Sequence, residues 1–224
     1  MKSGKHIVIF SHGFGVRKEA RGLFSDISSV LDDTELVLFD YNIVDETENT
    51  TTLRPLSEQA RIFSEKVKEA RERYPDAVVD AVCHSQGAIS VALADLHHVP
   101  IRKIILIAPP VTMNLERMMN AFKSRPGTKI DMNSTSRIVR SDGSITLVPS
   151  KYFIERTMIQ PMRLYNELAK VTELVIIRAK QDNVLGETEF SVLKNVRLIE
   201  LDGDHEFSGD SRKGLLETVA KAIL

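Results

Sequence analysis

The sequence has little of three features that would indicate a particular compartment or partner. Its 224 residues include one cysteine, Cys83, so no internal disulfide can form, and we expect a reducing, cytoplasmic location. Lysine and arginine number 30 against 31 aspartates and glutamates, and no basic run provides a surface for nucleic acid. No apolar stretch approaches the roughly 20 residues that cross a bilayer. We therefore expect neither nucleic-acid binding nor a membrane span.

The composition that remains is that of an ordinary globular protein. Hydrophobic residues make up 42% of the chain and charged residues 27%, which is enough apolar material for one sizeable core. A chain of this length does not require a second independent core. We predict a single domain over residues 1–224.

Short runs of β-branched and aliphatic residues recur along the chain and predict buried parallel strands. These runs lie at residues 6–10, 35–40, 78–84, 103–108, 173–178 and 196–201. Helical periodicity between them predicts helices near residues 18–31, 56–70, 86–97, 187–193 and 211–224. The alternation predicts a three-layer α/β/α sandwich around a mostly parallel sheet of about six strands. In such a sheet, ligands bind beyond the carboxyl ends of the strands.

The segment 111–170 interrupts this alternation and is too long for an ordinary connection. Its centre, residues 136–152, contains two mildly alternating runs around Asp142-Gly143, a dipeptide typical of hairpin turns. Helices are expected on either side, near 115–122 and 159–170. We predict that the segment forms a small cap inserted in the domain.

The first chemical motif is Cys-His-Ser-Gln-Gly at residues 83–87, between a predicted strand and a predicted helix. A nucleophile elbow needs this context, because a sharp turn projects the serine hydroxyl beyond the sheet. Gly87 is small as required, while Cys83 stands where the usual pattern has glycine. The alternative is that Ser85 merely caps a helix.

A second motif, Ser-His-Gly-Phe-Gly at residues 11–15, directly follows the first predicted strand. A glycine-rich loop there can turn a backbone N–H toward an oxyanion, and the residue after the nucleophile supplies another. We predict that Phe14 and Gln86 donate these N–H groups. The glycine spacing matches no nucleotide-binding motif, and an ordinary tight turn is the alternative.

The loops after the last two predicted strands contain Asp182 and His205. A serine hydroxyl needs a histidine to accept its proton, and that histidine needs a carboxylate to fix its tautomer. The order Ser85, Asp182, His205 is the one expected for this arrangement of strands and helices. We predict that these three residues form a catalytic triad. Taken singly, Asp182 would be interpreted as a turn former and His205 as an ordinary loop residue.

The other candidate histidines and carboxylates occupy less suitable positions. They are His12 in the glycine loop, His84 on the strand beside Ser85, His97 and His98 beyond a helix, Asp80 at the opposite end of that strand, and Asp202 and Asp204 too close to His205. The histidines and the lone cysteine have no spacing typical of metal ligands, so we expect no metal and no cofactor.

With these motifs, nearly the whole chain resembles the α/β-hydrolase superfamily. Residues 84–87, the loop 203–207 and the hairpin-bearing cap are similar to small bacterial carboxylesterases of the cinnamoyl or feruloyl esterase group. Ala88 and Ala179 depart from glycines that are common in that group, and the first two strands of the full superfamily fold are missing. The resemblance implies a serine hydrolase with a trimmed sheet.

We therefore predict a carboxylic ester hydrolase that forms an acyl-enzyme intermediate and acts, as a monomer or homodimer, on a small-molecule ester. A thioesterase, an amidase or an acyltransferase would use the same triad, and a non-catalytic binding protein of this fold is a further alternative. These remain open at the level of sequence.

The predicted cap holds six of the seven methionines, which suit an adaptable apolar surface. Met113, Met118, Tyr152 and Met158 are our candidates for a substrate pocket, although packing of the cap onto the sheet explains methionines equally well. The same segment carries Arg137, Arg140, Lys151, Arg156 and Arg163. Such charges usually form a solvated face, and we assign them no role.

Overall fold

The computed structural model describes residues 4–96 and 100–223, which contain ten strands and seven α-helices. The strands are β1 (His6–Ser11), β2 (Thr34–Val37), β3 (Ile43–Asp45), β4 (Thr50–Thr52), β5 (Val78–His84), β6 (Lys103–Ile107), β7 (Ser136–Val139), β8 (Ile145–Val148), β9 (Glu173–Ala179) and β10 (Val196–Leu201). The helices are α1 (Leu23–Ser28), α2 (Leu56–Arg73), α3 (Gly87–Ala92), α4 (Leu115–Lys123), α5 (Ser150–Met158), α6 (Pro161–Leu168) and α7 (Ser211–Ile223).

Six strands form a central sheet in the order β10-β9-β6-β5-β1-β2, and every neighbouring pair is parallel. All six lie in segments where the sequence predicts strands, so that prediction is confirmed. The four inner strands, β9, β6, β5 and β1, are almost wholly buried. Because both of their faces are buried, their sequences are continuous apolar runs. Since all strands run the same way, their carboxyl ends meet at one edge.

Helices cover both faces of the sheet, so the molecule has the predicted three layers. Successive residues of β1 point to opposite faces, with Ile7 and Ile9 in one core and Val8 and Phe10 in the other. The first core is closed by helices α2, α3 and α6, and the second by α1 and α7. Each fully buried aliphatic side chain contributes roughly 1.5–3 kcal/mol, so these two cores supply most of the stabilisation.

A second sheet of four strands, in the order β3-β4-β8-β7, lies outside the central one. Its strands β7 and β8 form the predicted antiparallel hairpin, and Gly143 adopts the positive φ that the turn requires. Strand β4 pairs in parallel with β8, with Thr50 opposite Ile145. The segment 111–170 therefore shares a sheet with residues 43–52, which the sequence did not predict.

Three predicted helices differ from the structure. The one predicted at 86–97 is α3, which ends at Ala92 before a turn and a bend at residues 93 and 94. Residues 187–193 form turns and extended segments, because the Glu189 side chain accepts the backbone N–H of Ser191 at 2.6 Å and competes with helical bonds. The helix predicted at 18–31 is a short 3₁₀ turn followed by α1, and the chain bends at Gly22, whose φ is +90°. Helix α5 was not predicted.

Some predictions fall on residues that the structure does not describe. They concern His97, His98 and the last residue of each of the predicted helices 86–97 and 211–224. Among residues 4–96 and 100–223, none of the helices combines the length and the apolar character needed to span a bilayer.

Candidate active site

Ser85 lies in a sharp turn between β5 and α3, at the carboxyl edge of the central sheet. Its φ of +53° is unfavourable for a residue with a side chain, and its N–H holds the turn by donating to the carbonyl of Ile107 at 2.9 Å. A Cβ at Gly87 would lie 2.1 Å from the carbonyl oxygen of Ser11, so only glycine fits there. The motif at 83–87 therefore folds as the strand–turn–helix that its spacing indicates.

The structure brings Ser85, His205 and Asp182 into one hydrogen-bonded chain. Ser85 Oγ lies 2.9 Å from His205 Nε2, and His205 Nδ1 lies 2.7 Å from Asp182 Oδ2. Because the carboxylate only accepts, Nδ1 carries the proton and Nε2 accepts the serine hydroxyl. The histidine and the aspartate are buried while Ser85 is half-buried, so the chain of bonds opens to solvent at the serine.

The Asp182 carboxylate is oriented by its own loop. Its Oδ1 accepts the backbone N–H groups of Val184 at 2.9 Å and Leu185 at 2.7 Å, which leaves Oδ2 to His205. These donors are neutral, so they orient the carboxylate without neutralising it. The negative charge remains available to a protonated imidazole.

His84 is not the histidine that bonds to Ser85, but it contacts the loop that carries His205. Its Nε2 donates to the carbonyl oxygen of His205 at 2.9 Å, and the two rings lie 5.0 Å apart. Burial, followed by repulsion from His205, lowers the pKa of His84 to about 4, so its ring is neutral near pH 7. The sequence placed His84 on the strand beside Ser85 and did not predict this contact.

Among the residues that the structure describes, the remaining histidine and carboxylate candidates have other partners. His12 Nε2 accepts the N–H of Tyr41 at 3.1 Å, so its Nδ1 donates to the carbonyl of Gly13, and burial lowers its pKa. Asp202 pairs with Lys180 on the surface. These contacts leave Asp182 and His205 as the pair that reaches Ser85.

The predicted oxyanion donors, Phe14 and Gln86, both lie beside Ser85 and line the same cavity. A Cβ at Gly13 would be 3.2 Å from Ser85 Cβ, so the loop that carries Phe14 passes close to the serine. Within the described residues, neither N–H group has a hydrogen-bond acceptor. Two unpaired donors near a serine are suited to an oxyanion.

Tyr152 is fully buried and contacts both Phe14 and Gln86. Its ring lies 5.7 Å from the ring of Phe14, and its hydroxyl donates to Gln86 Oε1. Arg156 Nη1 in turn donates to the Tyr152 hydroxyl at 3.1 Å, while Gln86 Nε2 reaches Gln59 at 3.4 Å. Helix α5, which carries Tyr152, thereby ties the second sheet region to the turn at Ser85.

Two cavities meet at Ser85. The first, which we call the apolar cavity, has a volume of about 140 Å³. Met113 and Met118 line it, as the sequence predicts for a substrate pocket, together with Phe14, Phe122 and Leu185.

Tyr152 and Met158, the other two candidates for that pocket, do not line it. The Tyr152 side chain is fully buried at 0% exposure, whereas Met158 on α5 is 74% exposed. Contact of these two side chains with substrate stays a prediction, which the lining of the cavity does not support. Sequence composition could not separate a pocket wall from the layer behind it or from the outer surface.

The second of the two cavities at Ser85, which we call the arginine cavity, has a volume of about 420 Å³. It is lined by Ser85, His205 and Glu206, and by four arginines, which are Arg21, Arg117, Arg125 and Arg140. Arg140 is only 8% exposed, which contradicts the expectation of a solvated face. Its guanidinium lies 5.6 Å from the ring of Phe14 and 5.2 Å from that of Phe122.

One group of side chains in the described ranges has the ligand atoms of a metal site within 4.8 Å of one another, namely His84, His205 and Glu206. Both ring nitrogens of His205 already bond to Ser85 and Asp182, and His84 Nε2 bonds to a carbonyl. A metal there would have to displace the hydrogen-bonded chain, so we assign none. The absence of a cofactor stays a prediction.

Comparison with known proteins adds information about the fold. No family model matches the sequence, and no curated protein matches it. Among solved structures, Est1E from Butyrivibrio proteoclasticus with ferulic acid bound has a TM-score of 0.71 at 19% identity, over 98% of this chain and 88% of that chain.

Two further structures give similar values. An esterase from Pyrococcus furiosus has a TM-score of 0.67 at 17% identity, over 98% of this chain and 81% of that chain. The esterase domain of a Rhodothermus marinus protein has a TM-score of 0.66 at 16% identity, over 99% of this chain and 87% of that chain. Likeness at this level of identity concerns the fold. With six parallel strands between two helical layers, the chain has the α/β-hydrolase fold.

Proposed function

We propose that this protein is a serine hydrolase that cleaves carboxylic esters. The observation that carries the proposal is the hydrogen-bonded chain from Ser85 through His205 to Asp182, with distances of 2.9 and 2.7 Å. Its position at the carboxyl edge of the sheet is where this fold presents reactive groups. Structures that share the fold and are named esterases support the choice of esters.

In the first half of the proposed reaction, Ser85 Oγ attacks the ester carbonyl carbon while its proton passes to His205 Nε2. The carbonyl oxygen becomes an oxyanion and accepts the N–H groups of Phe14 and Gln86. When this intermediate collapses, the bond to the alcohol oxygen breaks and that oxygen takes the proton from His205. The acyl group stays on Ser85.

In the second half, a water molecule attacks the acyl carbon and gives its proton to His205. Collapse of the second oxyanion breaks the bond to Ser85 Oγ, which recovers the proton, and the free acid leaves. Asp182 stabilises the protonated imidazole in both halves. No step needs a metal or a cofactor.

The apolar cavity is the proposed site for part of the ester. Methionine side chains adapt to irregular apolar shapes, so Met113 and Met118 suit an acyl chain or an aromatic acyl group. In this proposal the chain acts as one domain over residues 1–224, and the segment 111–170 serves as the cap that helps to form the cavity.

Labelling with a fluorophosphonate probe followed by peptide mapping tests the nucleophile. We expect modification of Ser85, and we expect Ser85→Ala to lose about four to six orders of magnitude in kcat on 4-nitrophenyl butyrate. Ser29→Ala, a change at an exposed serine, is the control and should retain full activity. Hydrolysis by Ser85→Ala at the wild-type rate would remove the proposal.

The same assay separates the alternatives. A faster reaction with the matched thioester or anilide would indicate a thioesterase or an amidase, and transfer to added alcohol in place of water would indicate an acyltransferase. An unlabelled Ser85 in folded protein would indicate a non-catalytic binding protein.

A further inference from the structure

Within the described residues, Arg140 is a buried charge with no ion-pair partner, and the carboxylates of Asp142 and Glu206 act on it only from a distance. Its Nε and Nη1 atoms are out of contact with solvent and have no hydrogen-bond partner within the described chain. Burial and the nearby positive charges of Arg21 and Arg125 lower its pKa to about 10, so it remains protonated near pH 7. Burying a guanidinium in this way is costly unless an anion or aromatic faces compensate.

The surroundings of Arg140 add positive charge. Four arginines line the arginine cavity, against one carboxylate, Glu206. Glu206 lies 3.9 Å from Arg21, so it offsets one of the four. In the described part of the chain, Arg117, Arg125 and Arg140 belong to no ion pair, and the first two donate only to backbone carbonyls. A concave site with excess positive charge and little solvent screening attracts anions.

The two cavities differ in which reacting group they contain. His205 lines the arginine cavity but not the apolar one, whereas Gln86 lines the apolar cavity but not the arginine one. In ester cleavage, the histidine gives its proton to the departing alcohol oxygen. The alcohol half of a bound ester therefore lies toward His205, and the acyl half lies beside Gln86 and the methionines.

We infer that the preferred substrate is an ester of an apolar acid with an alcohol that carries an anionic oxygen group, a carboxylate or a phosphate monoester, held by Arg140 and its neighbouring arginines. The inference rests on the proposed ester hydrolysis. Arginine suits either anion because its planar donors can form two parallel hydrogen bonds.

Three butyrate esters with matched alcohols test this inference. Their alcohols are glycolate, the neutral isostere glycolamide, and ethylene glycol monophosphate. We expect kcat/KM for at least one anionic ester to exceed that of the glycolamide ester by about 10- to 100-fold, as for loss of a charged hydrogen bond. The larger of the two anionic values identifies the carboxylate or the phosphate as the natural group.

Substitution of the arginines then tests whether the preference for anionic esters arises in the arginine cavity. In Arg140→Met, and in the less buried Arg125→Met, the ratio of kcat/KM for the anionic ester to that for the glycolamide ester should fall to about threefold or less. Arg163→Met is the matched control, because Arg163 is exposed on α6 and lines neither cavity. Equal cleavage of all three esters by the wild type, or an unchanged preference in both cavity variants, would overturn the inference and leave the proposed function standing.

A binding measurement tests the anion site independently of the proposed ester hydrolysis. Calorimetry on Ser85→Ala should show the preferred anionic ester binding more tightly than the glycolamide ester, and Arg140→Met in that background should remove the difference. If the wild type cleaves no ester at all, the proposed function fails, and this difference alone decides whether the anion site exists. Equal binding of the esters would reject the site.

Discussion

One histidine–aspartate pair lies at each end of the central sheet, buried at the carboxyl end and partly buried at the amino end. At the carboxyl end, His205 Nδ1 lies 2.7 Å from Asp182 Oδ2. At the amino end, His6 Nε2 lies 2.8 Å from Asp80 Oδ2, and the Asp80 side chain is fully buried. The two pairs have nearly the same N–O distance, through Nδ1 of His205 and Nε2 of His6, yet we assign a reaction to only one of them.

The further contacts of each aspartate account for the difference between the two pairs. Arg102 donates to both carboxylate oxygens of Asp80, through Nε at 2.9 Å and through Nη2, so that charge is already neutralised. Asp182 instead accepts two neutral N–H groups and keeps its charge for the imidazole. The free nitrogen of His205 also faces Ser85. A histidine–aspartate pair therefore serves structure or chemistry according to its further neighbours.

Changing each aspartate to asparagine, in separate variants, tests whether the two pairs differ in function. With Oδ1 accepting from Val184 and Leu185, Asp182→Asn turns its NH₂ group toward His205 Nδ1, which must then accept. The proton moves to Nε2 and the ring can no longer take a proton from Ser85. We expect kcat to fall about 10⁴-fold with little loss of stability. Initial rates on 4-nitrophenyl butyrate measure this.

Asp80→Asn is the matched variant at the other end of the sheet. It weakens two charged hydrogen bonds from Arg102, so we expect the free energy of unfolding to fall by about 1.5–3 kcal/mol. Because the site lies at the opposite edge, kcat of the folded protein should stay within about twofold. A large loss of kcat in both variants, or in neither, would show that the two pairs do not differ as proposed.

The sequence predicted which residues meet at the candidate site, because each lies at the end of a strand. Local periodicity identified the six central strands, and parallel strands bring their carboxyl ends together, so Ser85, Asp182 and His205 were expected as neighbours. The chain order of these residues then selected them from the other histidines and carboxylates.

The parts that sequence missed depend on contacts between distant segments. Nothing near Thr50 indicates that it pairs with Ile145, because each run is short and only their pairing makes a sheet. Tyr152 resembled a pocket aromatic, while its hydroxyl partner Gln86 lies 66 residues away. Arg140 is buried by two phenylalanine rings, Phe14 and Phe122, that no local pattern places beside it.

A second difference between the two ends concerns pH, because the His205 loop is held by another buried histidine, His84. The pKa of His84 is about 4 in the folded protein, whereas an unfolded histidine titrates near 6.5. As pH falls below about 6.5, the unfolded chain binds this proton and the folded chain does not, so stability present above that pH is lost toward pH 4. Between pH 7.5 and 5.0 this single group should cost about 2 kcal/mol.

His84→Gln tests that contribution. Glutamine does not titrate but retains an N–H donor for the carbonyl of His205, so we expect the variant to lose about 2 kcal/mol less than the wild type over the same pH interval. Urea unfolding at both pH values provides the measurement. Equal losses in the two proteins would mean that His84 is not held neutral by burial.

The last prediction concerns the oxyanion donors, and its expected loss of activity is smaller than that for the hydrogen-bonded chain of Ser85, His205 and Asp182. Tyr152→Phe keeps the ring against Phe14 but leaves Gln86 Oε1 without the hydroxyl donor, so the turn that presents the Gln86 N–H is held less firmly. Because that N–H acts mainly on the oxyanion, we expect kcat to fall by about 3- to 10-fold while KM stays unchanged, a smaller loss than removal of a donor itself. Tyr165→Phe is the control, since it removes another fully buried hydroxyl, one that donates to the carbonyl of Pro110 at 3.0 Å. A general loss of packing would lower stability and activity alike in both variants, whereas positioning of the oxyanion donor lowers kcat in Tyr152→Phe alone.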